Sequence, residues 1–184
     1  MAIRAEILDD RHVTHDSGSG GPLDGGGGVK VGFVVNLGTP FTFGTLSMHN
    51  MGKRPLVLDA IRLRPPLAPS FRLVDVLVAQ DPDRRLNSVG TKSLFPPPEA
   101  DLGQLRPFKG AIVRPREEND MRSTAVLMGL QLDKPGVVSF KQVEIDYHVG
   151  SKPYTVRVDL GFQACGPKSA YNGSCPDTGF FGSD

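Results

Sequence analysis

From Val29 onward, apolar residues recur at every second position. Val29, Val31, Phe33, Val35 and Leu37 alternate with smaller or polar neighbours, the period of a strand that buries one face. After Gly38-Thr39-Pro40, residues 41–49 form a second candidate strand, and residues 55–63 a third. In the third, the apolar parity slips between Leu58 and Ile61, which predicts a bulge near Asp59-Ala60. Residues 71–79 read as a fourth strand, with Val74, Val76 and Val78 on one side. Regularity returns at 108–113, and Thr124, Val126, Met128, Leu130 and Leu132 mark a further strand. Residues 137–149 shift parity once near Lys141-Gln142. Tyr154, Val156, Val158, Leu160, Phe162 and Ala164 then oppose Thr155, Arg157, Asp159 and Gln163. Gly150-Ser151-Lys152-Pro153 joins these last two strands as a hairpin.

No segment carries a sustained helical period with caps. About eight strands joined by Pro/Gly turns predict an all-β fold, a β-sandwich. One-sided alternation predicts antiparallel sheets with one wet face. The first 28 residues end in "SGSGGPLDGGGG", which reads as a flexible tail and glycine-rich linker, because glycine loses most backbone entropy on ordering. The sandwich is expected over 29–165, followed by a C-terminal tail over 166–184. Residues 81–106 show no period and contain three successive prolines. A connection of that length predicts a surface excursion where function can be grafted.

The succession "HNMGKRPLVLDAIRLRPP" followed by "LRPFKGAIVRPREENDMRSTAVLMGLQLDKPGVVSFKQVEIDYHVGSKPYTVRVDLGFQAC" resembles an uncharacterised kind of immunoglobulin-like domain. Such domains occur in secreted or membrane-anchored proteins of high-GC Gram-positive bacteria. The resemblance covers roughly residues 42–165 and lies in strands and turns, not in catalytic residues. It implies an immunoglobulin-like sandwich and a cell-envelope location.

Lys plus Arg number 21 and Asp plus Glu 20, so the basic excess of a nucleic-acid binder is missing. No stretch reaches the roughly 20 apolar residues of a membrane helix. Arg4, Glu6, Asp9, Asp10 and Arg11 interrupt any signal-peptide core. An extracytoplasmic protein would therefore have its export or anchor segment outside this sequence; a cytoplasmic one would need none. Cys165 and Cys175 are the only cysteines and flank "GPKSAYNGS". A disulfide between them would close a short loop, tie down the tail and point to an oxidising, extracytoplasmic compartment. Free thiols are the alternative. Asn172-Gly173-Ser174 matches a glycosylation sequon but reads as a turn.

Among candidate chemistries, Met48, His49 and Met51 offer thioether and imidazole ligands suited to copper. On a strand, Met48 and His49 point to opposite faces, so they converge only if the chain has already turned. His12 and His15 sit among Asp9, Asp10 and Asp16 without a framework to fix a metal. His148, Asp146 and Glu144 share the polar parity of one strand and read as a solvated face. "RPREEND", residues 114–120, reads as a turn. In the long loop, Arg84, Arg85, Lys92 and Phe95 combine basic and apolar groups and are the expected partner contact. No nucleophile elbow, zinc-protease or nucleotide motif occurs. The expectation is a non-catalytic, cofactor-free interaction or structural module of the cell envelope that binds another protein through its loops. A cupredoxin-like copper carrier is the alternative.

Overall fold

The computed structural model describes residues 5–7, 21–26, 29–65, 67–80, 90–98, 102, 104–116, 123–176 and 178. Strands account for nearly all of its regular structure: β1 Ala5–Ile7, β2 Leu23–Asp24, β3 Val29–Val34, β4 Phe41–Asn50, β5 Leu56–Arg64, β6 Phe71–Gln80, β7 Gly90–Lys92, β8 Gln104–Pro107, β9 Ile112–Val113, β10 Thr124–Leu132, β11 Gly136–Val149 and β12 Lys152–Gly166. A 3-10 turn follows at Lys168–Ala170. The all-β expectation holds. The count exceeds the eight expected because four segments of two to four residues, β1, β2, β7 and β8, are too short for alternation to register; of the expected strand at 108–113, only Ile112–Val113 is strand.

Two sheets form. Sheet one runs β1-β3-β12-β11-β5-β9, and sheet two runs β2-β4-β10-β6-β8, with β7 also pairing β4. Their inner faces share one core, as in a β-sandwich. Phe162 of β12 lies at its centre. Its ring packs 4.6 Å from Phe43, 5.7 Å from Phe41 and 6.4 Å from Phe71, all of sheet two, and 5.8 Å from Phe140 of its own sheet. One pairing departs from the antiparallel expectation: β3 runs parallel to β12, from Val29 opposite Leu160 to Val34 opposite Cys165.

The parity slips are bulges. Ala60 faces Asp146 and Leu58 faces Tyr147, so Asp59 is the additional residue. The shift between β11 and β12 falls between Phe140 and Gln142, where β12 carries the additional residue, three steps from Phe162 to Asp159 against two from Phe140 to Gln142. In β4, Val126 faces Leu46 and Met128 faces Phe43; the inward set therefore passes from Phe41 and Phe43 to Leu46, Met48 and Asn50. A fourth bulge corrects the reading of β6. Asp75 faces Gly129 and Leu73 faces Leu130, which leaves Val74 unpaired and 43% exposed, while Val76 and Val78 are buried. The β11–β12 hairpin turns at Gly150, whose φ of +61° suits a residue without Cβ.

Two segments depart from the sequence reading. Within 1–28, Ala5–Ile7 pairs with β3 and Leu23–Asp24 pairs with β4, so these residues belong to the sheets and not to a tail or linker. The backbone N–H of Leu23 donates to the buried Tyr147 hydroxyl. Within 81–106, β7 and β8 pair with sheet two, and Leu102 and Phe95 join Ala79, Ala125 and Leu127 in a second apolar cluster on that sheet's outer side. This cover explains why β10 is buried along its whole length, against the expectation of one wet face. That expectation holds on sheet one, where Thr155, Arg157 and Asp159 are exposed.

Candidate functional site

Polar groups gather most densely on the outer side of sheet one. Strand alternation and the register of β5, β11 and β12 put Arg62 and Arg157 on either side of Glu144. The Glu144 side chain is only 8% exposed and accepts from three arginines: Arg64 Nη2 at 2.7 Å, Arg157 Nε at 3.0 Å and Arg62 Nε at 3.4 Å. Asp146, two residues along, accepts a forked pair from Arg62, Nη1 to Oδ2 and Nη2 to Oδ1, the latter at 2.8 Å. The Thr155 hydroxyl adds a bond at 2.7 Å. His148 Nδ1 lies 2.9 Å from Asp59, the bulge residue of β5.

Charge-assisted bonds of this kind favour the ionised carboxylate. The Arg64 guanidinium, helped by Arg157 and Arg62, holds Glu144 below its ordinary 4.5 against the opposing effect of burial. The Arg62 fork holds Asp146 below its ordinary 3.8, again against burial and with help from Thr155. Asp146 in turn holds Arg62 above its ordinary value. Both acids are thus fixed as anions, with Arg62 shared between them. An ion-paired lattice of this kind orients a sheet face; a general acid or base needs a group free to exchange its proton.

The sequence grouped Glu144, Asp146 and His148, and the structure does place them along one strand face. Their partners come from β5 and β12, and Asp59, not Asp146, engages His148. The alternation of Arg62 and Arg64 with Leu63 was a visible signal for the arginines. Only the register shows which carboxylate they meet.

The copper donors do not converge. Met48 is fully buried in the shared core. His49 follows on the opposite side of β4, across from Asp24 of β2. Met51, beyond the strand end, is 59% exposed. The turn between them is built by Asn50, whose amide donates to the carbonyls of Arg54 and Val113 while its Oδ1 accepts from Gly52 N–H. Among the described residues no three His, Cys, Asp or Glu side chains gather as a metal site. His49 Nδ1 and Thr45 Oγ1 are buried on the outer side of β4 with no hydrogen-bond partner among those residues.

Of the loop candidates, Lys92 ends β7 and is exposed, while the Phe95 ring stands over Gly129, where a Cβ would come within 2.5 Å of it. Glycine at 129 is what admits the ring. Leu94, between them, is 59% exposed, and its carbonyl accepts from the Thr42 hydroxyl. Arg84 and Arg85 lie outside the described residues, as do His12, His15 and residues 117–120.

Cys165 and Cys175 are joined, with Cα atoms 5.6 Å apart. The closed loop contains Asn172, Gly173 and Ser174, all exposed, in a turn where Gly173 has φ +85°. Among the described residues no helix is long and apolar enough to cross a membrane. No protein-family model matches the chain, and no curated protein is significantly similar to it.

Proposed function

We propose that this chain is an immunoglobulin-like interaction module of an oxidising, extracytoplasmic compartment, most simply the bacterial cell envelope, and that it binds another protein without catalysis. The strand order supports the fold part of this reading. With β4, β5, β6, β10, β11 and β12 taken as B to G in chain order, B, E and D are neighbours in one sheet and C, F and G in the other, the partition of an immunoglobulin sandwich. The first strand is divided, β2 lying beside B and β3 beside G. The cystine sits at the end of G instead of bridging B and F. A disulfide that persists favours an oxidising compartment.

The observation that carries the binding reading is the held segment 92–98. Phe95 over Gly129 and Thr42 on the Leu94 carbonyl pin it to sheet two, and Leu94 and Lys92 project from it. A rigid scaffold that presents an exposed apolar side chain beside a cation is a common arrangement for recognition. The test is affinity capture from cell-envelope extract with the wild-type chain and with Leu94→Asp/Lys92→Glu in parallel. A protein retained by the wild type and lost from the folded double variant is expected. Equal retention by both would remove the loop from the proposal.

A further inference from the structure

After β12 the chain turns back across the outer side of sheet one as a strap, residues 167–178. No described side chain of that strap is buried: Pro167, Tyr171 and Cys175 are half-buried, and the others are exposed. Its internal bonds, Ala170 N–H to Pro167 O and Gly173 N–H to Tyr171 O, shape the strap but do not fasten it. What fastens it is a short set of contacts. Gln163 Nε2 donates to Thr178 Oγ1 at 2.9 Å and to the Pro176 carbonyl at 3.3 Å. Cys175 Sγ lies 3.4 Å from the Phe33 carbonyl oxygen. Among the described residues, the Cys165–Cys175 bond completes the set. The polar part is incomplete, since Gln163 is fully buried and its Oε1 has no partner among the described residues, a costly arrangement. With only Pro167, Tyr171 and Cys175 half-buried in the strap and a flawed polar contact beneath it, the covalent bond does most of the holding.

We infer that the Cys165–Cys175 disulfide is a redox-operated clasp, whose reduction frees the strap as a local unit and uncovers the Gln163 carboxamide and adjoining β12 and β3, while the two-sheet core stays folded. The co-reactant is a dithiol. Its thiolate attacks Cys175 Sγ, the more accessible sulfur, because Cys165 is fully buried. The S–S bond breaks, and Cys165 leaves as a thiolate and takes up a proton. The second thiol of the reductant then displaces Cys175. Two cysteine thiols and one oxidised reductant result. This inference does not depend on any partner of the 92–98 segment.

The test uses the full chain with and without dithiothreitol. Lys168 is exposed within the closed loop, and trypsin needs a stretch of released chain around it. Reduction is expected to speed cleavage after Lys168 by up to about 100-fold, the loop-closure contribution of a bond of this span. The Gln163 side-chain NMR resonance is expected to move, while amide protection in β4, β11 and β12 persists and reoxidation restores the starting state. Cys175→Ala without reductant should reproduce the released state. An unchanged cleavage rate overturns the clasp. So does parallel loss of amide protection in the sheets, because the strap would then not be a separate unit.

Discussion

At the scale of single residues, the consequential fact is that ionisable side chains on sheet one are already committed to one another. Glu144 and Asp146 have lowered pKa values because arginines donate to their ionised forms. A group whose pKa falls on folding contributes stability above its unfolded value and loses it as pH drops through the folded one. Denaturant midpoints should therefore be level from neutrality to about pH 5, and fall below the ordinary values of 4.5 and 3.8. Glu144→Gln should lower the neutral-pH midpoint and flatten part of the acid decline; an unchanged pH profile would show that the arginine cage contributes nothing. Asp133, bonded by Arg72 and Gln131, adds to the same limb. Three residue-level readings of the sequence, the polar parity of Glu144, Asp146 and His148, needed no structure. Their partners did.

At the scale of elements, bulges decide which side chains count. Val74, Val76 and Val78 look equivalent in the sequence, yet the bulge in β6 sends Val74 outward and leaves Val78 fully buried. Val74→Ser should change stability by less than about 0.5 kcal/mol, whereas Val78→Ala should cost about 2 kcal/mol through lost burial and the cavity left behind. Chemical denaturation of the two variants separates them; equal costs would place Val74 in the core. Gly129 makes a similar point across elements. Its missing Cβ makes room for the Phe95 ring. Gly129→Val should destabilise by about 1–3 kcal/mol through overpacking and should also release the 92–98 segment, visible as faster amide exchange there. The strand β4 shows the converse. Alternation alone separated Met48 from His49, and the structure keeps them apart because the turn that could have joined them is claimed by Asn50.

At the scale of the whole molecule, one core ties both sheets together through Phe162 and the rings around it. Phe162→Ala should cost about 3–5 kcal/mol, a large fraction of the total for a domain of this kind. For the wild type, unfolding followed by backbone dichroism and by tyrosine fluorescence should coincide. Tyr147 and Tyr154 stack in sheet one at 5.4 Å, and no tryptophan competes. Separate transitions would mean that the sheets do not share a cooperative unit.

The period-two pattern determined the all-β class, the two C-terminal strands with their hairpin, the bulge in β5 and the parity shift in β11, because those follow from which neighbouring residues can face a common interior. The cysteine count narrowed the tail to a bonded or free pair. Local pattern could not find β1, β2, β7 or β8, since two to four residues hold less than a clear period. It could not place Phe95, Leu102 and Leu105 as the cover of sheet two, nor see β3 run parallel to β12, because both depend on which distant strands lie side by side. Tertiary structure decided the partners: which arginines meet Glu144, which ring rests on Gly129, and that the two cysteines are joined. Pairing across tens of residues is set by register and by the shared core, and neither is written in any short stretch of sequence.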